Sequence, residues 1–114
     1  MKTMKNNTVK LTGNVGAEGV EFKIVENVTT PFATAKLRLA TNETYKNSEG
    51  KEVSETEWHN IEATGKVAEF AKPFVKGSRI IIEGSLKTLS WEKDGKKFYK
   101  TIIKATSIKD GKKE

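Results

Sequence analysis

The chain predicts an all-β domain plugged by one helix, and three observations carry that expectation. Over most of its length apolar residues alternate with polar ones, as strands with one buried face require. Turn signals at Gly16 to Gly19, at Asn47 Ser48 Glu49 Gly50 and at Lys93 Asp94 Gly95 Lys96 separate those runs. A single stretch, from Val67 to Val75, follows the helical period instead.

The elements follow in order. Val9, Leu11, Gly13 and Val15 alternate with Thr8, Lys10, Thr12 and Asn14, and after the turn Val20, Phe22 and Ile24 alternate with Glu21 and Lys23. Ala33, Ala35, Leu37 and Leu39 then form one face, with Thr34, Lys36 and Arg38 on the other. The polar segment Asn42 to Glu55 holds the tip of a long hairpin. In the returning strand His59, Ile61 and Ala63 mark the core face, which puts Trp58, Asn60, Glu62 and Thr64 outside. Val67, Phe70, Ala71, Phe74 and Val75 recur at i, i+3, i+4, i+7 and i+8, an apolar helical stripe. Pro73 restricts the regular helix to about Lys72, and Gly77 is placed to end it in the left-handed conformation. Arg79 to Lys87 begins as a buried strand and becomes alternating, with a bend or bulge expected at Gly84. Its register puts Lys87, Leu89 and Trp91 on the side away from Ile80, Ile82 and Leu86. Asp94-Gly95 closes a hairpin onto Phe98 to Ile108.

Five strand segments with one helix between the third and fourth are the order of an OB-fold, a five-stranded Greek-key barrel whose open strands and loops bind oligonucleotides or sugars. One such domain occupies residues 7–108, after a flexible N-terminus of residues 1–6 and before a disordered charged terminus of residues 109–114. The absence of cysteine excludes a disulfide framework, a thiolate zinc site and a cysteine nucleophile. No apolar run approaches the roughly 20 residues of a membrane helix, so the expectation is a soluble, intracellular protein with no membrane partner.

The 21 Lys and Arg against 15 Asp and Glu, net +6, suit an anionic partner. Their distribution is uneven. Lys87, Lys93, Lys96, Lys97, Lys100 and Lys104 outnumber Glu92 and Asp94, whereas Tyr45 to Glu57 is locally acidic. Lys36 and Arg38 on one open strand face would track a phosphate backbone, although a plain solvated face would carry the same residues. Aromatics on polar faces beside such cations suit single-stranded nucleic acid, whose unpaired bases offer flat faces for stacking. Trp58 is the leading platform, Trp91 a second, and Tyr45 either a third or a cap on the barrel. His59, the one histidine, shares the face of Ile61 and reads as a packing or subunit-interface residue rather than a base or metal ligand. No catalytic constellation, metal-ligand cluster or cofactor motif stands out. A non-enzymatic binder is therefore expected, with no cofactor and no metal.

The stretches Leu11 Thr12 Gly13 Asn14 Val15 Gly16, Leu39 Ala40 Thr41, Thr56 Glu57 Trp58 His59, Gly65 Lys66 Val67 Ala68 Glu69, Lys76 Gly77 Ser78 and Ile82 Glu83 Gly84 Ser85 Leu86 Lys87, followed by Trp91, resemble the bacterial single-stranded DNA-binding protein (SSB) family, in order from about Asn7 to Ile108. The resemblance implies a cytoplasmic, nucleoid-associated homotetramer of OB-folds that wraps and protects single-stranded DNA in replication, recombination and repair. It implies stacking by Trp58 and Trp91, with Tyr45 where the family usually has another tryptophan. It further implies basic contacts from Lys66, Lys76 and Lys87, and subunit-interface roles for Gly16 and His59. The chain departs from the pattern at Thr64, where a stacking phenylalanine is common, and at Asn60, Leu89 and Ser90, often basic; Lys36 and Arg38 are the candidates for compensation. The sequence stops at Lys113 Glu114, without the acidic tail through which typical members recruit other proteins, so tail-mediated recruitment is expected to be absent. The competing reading is a primosome-type OB accessory protein that works mainly through protein contacts; RNA binding is a third.

Overall fold

The structure, a computed structural model, describes residues 6–111. Strands β1 (Val9–Val15) and β2 (Glu21–Val25) are two halves of one barrel strand, bent at the turn that holds Gly16 and Gly19. β3 (Phe32–Lys46) and β4 (Glu52–Thr64) form the first long hairpin, helix α1 (Lys66–Ala71) follows, and β5 (Arg79–Lys93) and β6 (Lys96–Asp110) form the second. The sheet runs β1-β5-β6-β4-β3-β2, and a further β1–β3 pairing closes it. Counted with β1 and β2 as one, this is the expected five-stranded barrel, an OB-fold with its helix between the third and fourth strands.

The alternation read from the sequence fills the interior. Leu39, Ile61, Ile80 and Ile82 are fully enclosed, with Ala33, Ala35, Leu37, Ala63, Ile103, Ala105 and Ile108 around them. Burying each large aliphatic side chain contributes about 1.5–3 kcal/mol, and truncating one such as Ile82 to alanine would cost about 2–5 kcal/mol. Gly84 is where β6 presses hardest on β5: a Cβ there would collide with the Lys104 carbonyl oxygen and come within 3.0 Å of Ala105 Cα. The expected irregularity is present, with the register shifting between Glu83 and Gly84 so that Thr106 is the extra residue on β6.

Three local expectations need correction. The buried face of α1 is Ala68 and Ala71, with Val67 and Phe74 packed partly against the core; Phe70 and Val75 are exposed. A helix this short seats only small side chains against the barrel end, and Pro73 diverts the chain before the stripe can continue. Gly77 does have positive φ (84°), but six residues beyond the helix, in the turn from Val75 to Ser78 that leads into β5. The hairpin tip expected within Asn42–Glu55 is present, at residues 47–51, where Asn47 organises it by accepting the Glu49 and Lys51 N–H groups. Finally, β6 extends through Asp110, and Gly111 N–H bonds to Arg79 O, so residues 109–111 of the expected disordered terminus are ordered. Residues 1–5 and 112–114 of the two expected flexible ends lie outside the described residues. Asn7 pins the start of the domain, its side chain exchanging two hydrogen bonds with the Leu86 backbone.

The radius of gyration, 16.6 Å, exceeds the ~13 Å of a compact domain of this length. The excess comes from the two long hairpins, whose outer halves reach beyond the barrel.

Candidate nucleic-acid interface

Strand pairing arranges the outer face residue by residue. Along β3 and β4 the directly opposed pairs are Ala40 with Trp58, Arg38 with Asn60, Lys36 with Glu62 and Thr34 with Thr64. Because the ladder is unbroken, all of these share one face. Trp58 is half exposed, as the alternation requires. The Arg38 guanidinium lies 4.9 Å from the centroid of its ring, a cation–π contact. Gly16 lies against the indole, where a Cβ would stand 3.1 Å from Trp58 Cζ3, and its N–H bonds to Arg38 O. Trp58 is thus held in place from two sides.

This face is the floor of a groove of about 430 Å³, walled by the Gly16–Gly19 turn on one side and reached by Lys100 from β6 on the other. Lys36, Arg38, Trp58, Asn60 and Glu62 all line it. Charge within the groove is not uniform. Lys36 stands between two acids, Glu21 across β2 and Glu62 across β4, and Glu21 also pairs with Lys23 at 3.0 Å. The Lys23 hydrogen bond, Lys23's charge and then Lys36 hold the Glu21 carboxyl below its ordinary value. Arg38 faces neutral Asn60 and has no cross-strand acid. Of the two cations singled out as compensation, Arg38 is the less flanked by acid on its ladder rung, although Glu18 of the turn also lines the groove.

A second, smaller hollow of about 150 Å³ adjoins the first at Glu62 and is lined by Thr64, Lys87, Leu89, Ile102 and Lys104, among others. Lys87 and Lys104 bring positive charge to it. From there the face of the β5–β6 arm continues through Leu89 and Lys100 to Trp91, which stacks on Phe98 at 5.8 Å between centroids and 20° between planes. Phe98 and Lys100 were missed as individual site residues. The Asp94-Gly95 turn was the available signal, because pairing Lys93 with Lys96 sets Phe98 opposite Trp91 and Lys100 opposite Leu89.

The remaining candidates fall elsewhere. Tyr45 lies on the opposite face of the β3–β4 ladder from Trp58, by the same alternation. Its hydroxyl donates to Glu55 Oε1 at 2.8 Å, and that bond, with the carboxylate's charge, raises the phenol above its ordinary pKa. Lys66, at the start of α1, and Lys76, in the turn before β5, are exposed and line neither hollow. His59 is part-buried on the core side of β4 and shares a 3.0 Å hydrogen bond with Thr41 Oγ1. No group of three or more histidine, cysteine or acidic side chains suited to a metal ion occurs among the described residues. No helix among them is long and apolar enough to cross a membrane.

Known proteins share this architecture. A Plasmodium falciparum SSB solved in complex with ssDNA superposes with a TM-score of 0.75 at 28% identity, covering 94% of this chain and 92% of that one. A deletion mutant of the single-stranded DNA binding protein from Thermus aquaticus gives 0.76 at 28% identity over 90% of this chain, which spans only 48% of that protein. The small single-stranded DNA-binding protein of Streptomyces coelicolor, at 20% identity, covers 93% of this chain and 95% of its own with a TM-score of 0.69, a likeness of fold. The model of the single-strand binding protein family matches residues 6–110, from the residue before Asn7 to the end of β6, so the barrel with its two arms is the family's domain and the chain belongs to the single-strand binding protein family.

Proposed function

We propose that the protein is a sequence-tolerant binder of single-stranded DNA, stacking bases on Trp58 and Trp91 and meeting phosphates with Arg38, Lys87, Lys100 and Lys104. The observation that carries the reading is Trp58, a half-exposed indole on the floor of a groove, backed by a guanidinium. Unpaired bases stack on such a ring whatever their identity, and cations along the face follow the backbone. The P. falciparum neighbour was solved with ssDNA bound, which supports the same ligand here. Membership of a family of non-enzymatic binding proteins is the ground for setting an enzyme aside.

In this reading the chain works as a cytosolic homotetramer that protects single strands during replication, recombination and repair. Support for assembly comes from Leu86 and Tyr99, exposed apolar side chains on the face of the β5–β6 arm opposite Trp91. Lys66, Lys76 and Tyr45 belong to the proposal only as outlying contacts, reached by a strand that leaves the groove. Titration with oligo-dT of increasing length, read by tryptophan fluorescence and light scattering, tests the whole reading. Quenching is expected, with log affinity falling against log salt by about 0.7 per neutralised phosphate. Unchanged fluorescence at low salt, with the protein folded, would overturn it.

A further inference from the structure

We infer that the DNA-binding face does not end at the groove but runs along β3 to Phe32, which offers a third stacking platform. The inference rests on the single-stranded DNA reading above. Phe32, Thr34, Lys36 and Arg38 alternate along one strand and therefore share the face of Trp58. Phe32 opens that row and is 41% exposed, although its neighbours in the ladder include Val25 directly across β2. On the rung between it and the charged part of the groove stand Thr34 and its β4 partner Thr64, side chains too short to screen a phenyl ring, with Lys23 across on β2.

The charge around this end is mixed, with Lys66 and Lys23 set against Glu26, the residue after Phe32's ladder partner Val25, so the extension rests on stacking rather than on charge. Gly65 N–H bonds to Ala33 O at 2.8 Å, which brings the backbone just before Lys66 against the residue after Phe32. Lys66, outside both hollows, is the next residue along the chain. Lys23 lies across from Thr34, its charge shared with Glu21. From Phe32 to Ala40, the partner of Trp58, is eight residues, roughly 26 Å of strand. That length suits a domain whose fold takes about 4–16 nucleotides. Ile24 is also exposed near this end, but its ladder partner is Ala33, on the opposite face.

The test compares Phe32→Leu, which keeps an apolar side chain against Val25 but removes the ring, with Phe32→Trp, which enlarges it. Affinity for a fluorescently labelled oligo-dT is read by anisotropy, beside the melting temperature of each protein. Phe32→Leu is expected to bind at least roughly 5-fold more weakly, the low end of one lost stacked base, while Phe32→Trp binds as tightly as the parent or tighter. As a second readout, 5-bromouracil-substituted oligonucleotide irradiated on the unaltered protein should cross-link the peptide containing Phe32, and this decides the matter if the leucine variant melts early. Parent-like binding by Phe32→Leu, or cross-links confined to the Trp58 and Trp91 peptides, would overturn the extension while leaving the groove reading intact, and would leave this surface to a protein contact. Absence of oligo-dT binding by the unaltered protein would overturn both.

Discussion

Trp58 and Trp91 expose nearly the same share of their surface, 49% and 47%, yet they are supported by different means. Trp58 stands on the barrel wall with the Gly16 backbone against its edge and Arg38 over its ring. Trp91 stands on the outer part of the β5–β6 hairpin and leans on Phe98, another exposed ring. A platform held by backbone is preorganised, so less of its stacking energy is spent on ordering the side chain. A platform held by a second aromatic on a projecting arm is more adaptable, because either ring can take the base.

The largest expected effect separates the two. Trp58→Ala should lower oligo-dT affinity by about 1–3 kcal/mol, with only a small change in melting temperature because the side chain is not part of the core. Trp91→Ala should cost less, since Phe98 remains; pairing it with Phe98→Ala should cost more than the two single losses added together. Anisotropy titrations of the four variants provide the comparison. A Trp91→Ala loss exceeding that of Trp58→Ala would reverse the ranking.

Gly16 sharpens the Trp58 side. An alanine Cβ would sit 3.1 Å from Trp58 Cζ3 and 3.3 Å from Arg38 O, closer than ordinary packing, so the indole must give way. Gly16→Ala should therefore shift Trp58 emission and weaken binding several-fold, about 1 kcal/mol on the scale of one disturbed stacking contact. Light scattering on the same variant tests the interface role implied by family resemblance. A change of mass with parent-like emission and affinity would move Gly16 from the groove to the subunit contact.

Charge gives a smaller difference. Arg38→Ala should reduce the slope of log affinity against log salt by about 0.7, one phosphate contact. Lys36→Ala should reduce it by less, because Glu21 and Glu62 flank Lys36 on both neighbouring strands and already balance it. Glu62→Gln should then raise affinity at low salt. Equal slopes for the Arg38 and Lys36 variants would show that the flanking acids do not matter.

Whatever depends on period two is legible in the sequence. Ile61 and Ala63 inside require Trp58 and Asn60 outside, and the structure has them so. The barrel order followed from the same alternation and one helical interruption. Tyr45 shows what chemistry alone overlooks, because counting along β3 from Leu39 puts it on the face opposite Trp58. Lys36 teaches a different lesson. Its two acidic neighbours come from β2 and β4, and only the pairing register brings Glu21 and Glu62 to the same rung. Ala71, Val67 and Phe74 of the helical stripe do meet the core, but the enclosure of Ala68 and the exposure of Phe70 and Val75 depend on how a six-residue helix meets the barrel end.

The smallest expected effect tests the two faces of the β3–β4 arm. The Tyr45 hydroxyl donates to Glu55, and both the bond and the carboxylate charge favour the protonated phenol, raising its pKa above 10.0. Any stability from this contact is therefore present below the unfolded value and fades as pH rises through the higher folded one; with both groups at the surface it is small. One tyrosine should titrate above 10.0 by phenolate absorbance, and Glu55→Gln should bring that midpoint down toward it. Neither Glu55→Gln nor Tyr45→Phe, which keeps the ring of this outlying contact, should move oligo-dT affinity beyond about 0.5 kcal/mol, the scale of an ordinary surface change. If Tyr45→Ala weakened binding as much as Trp58→Ala, the DNA would have to cross the edge of the arm and engage both of its faces.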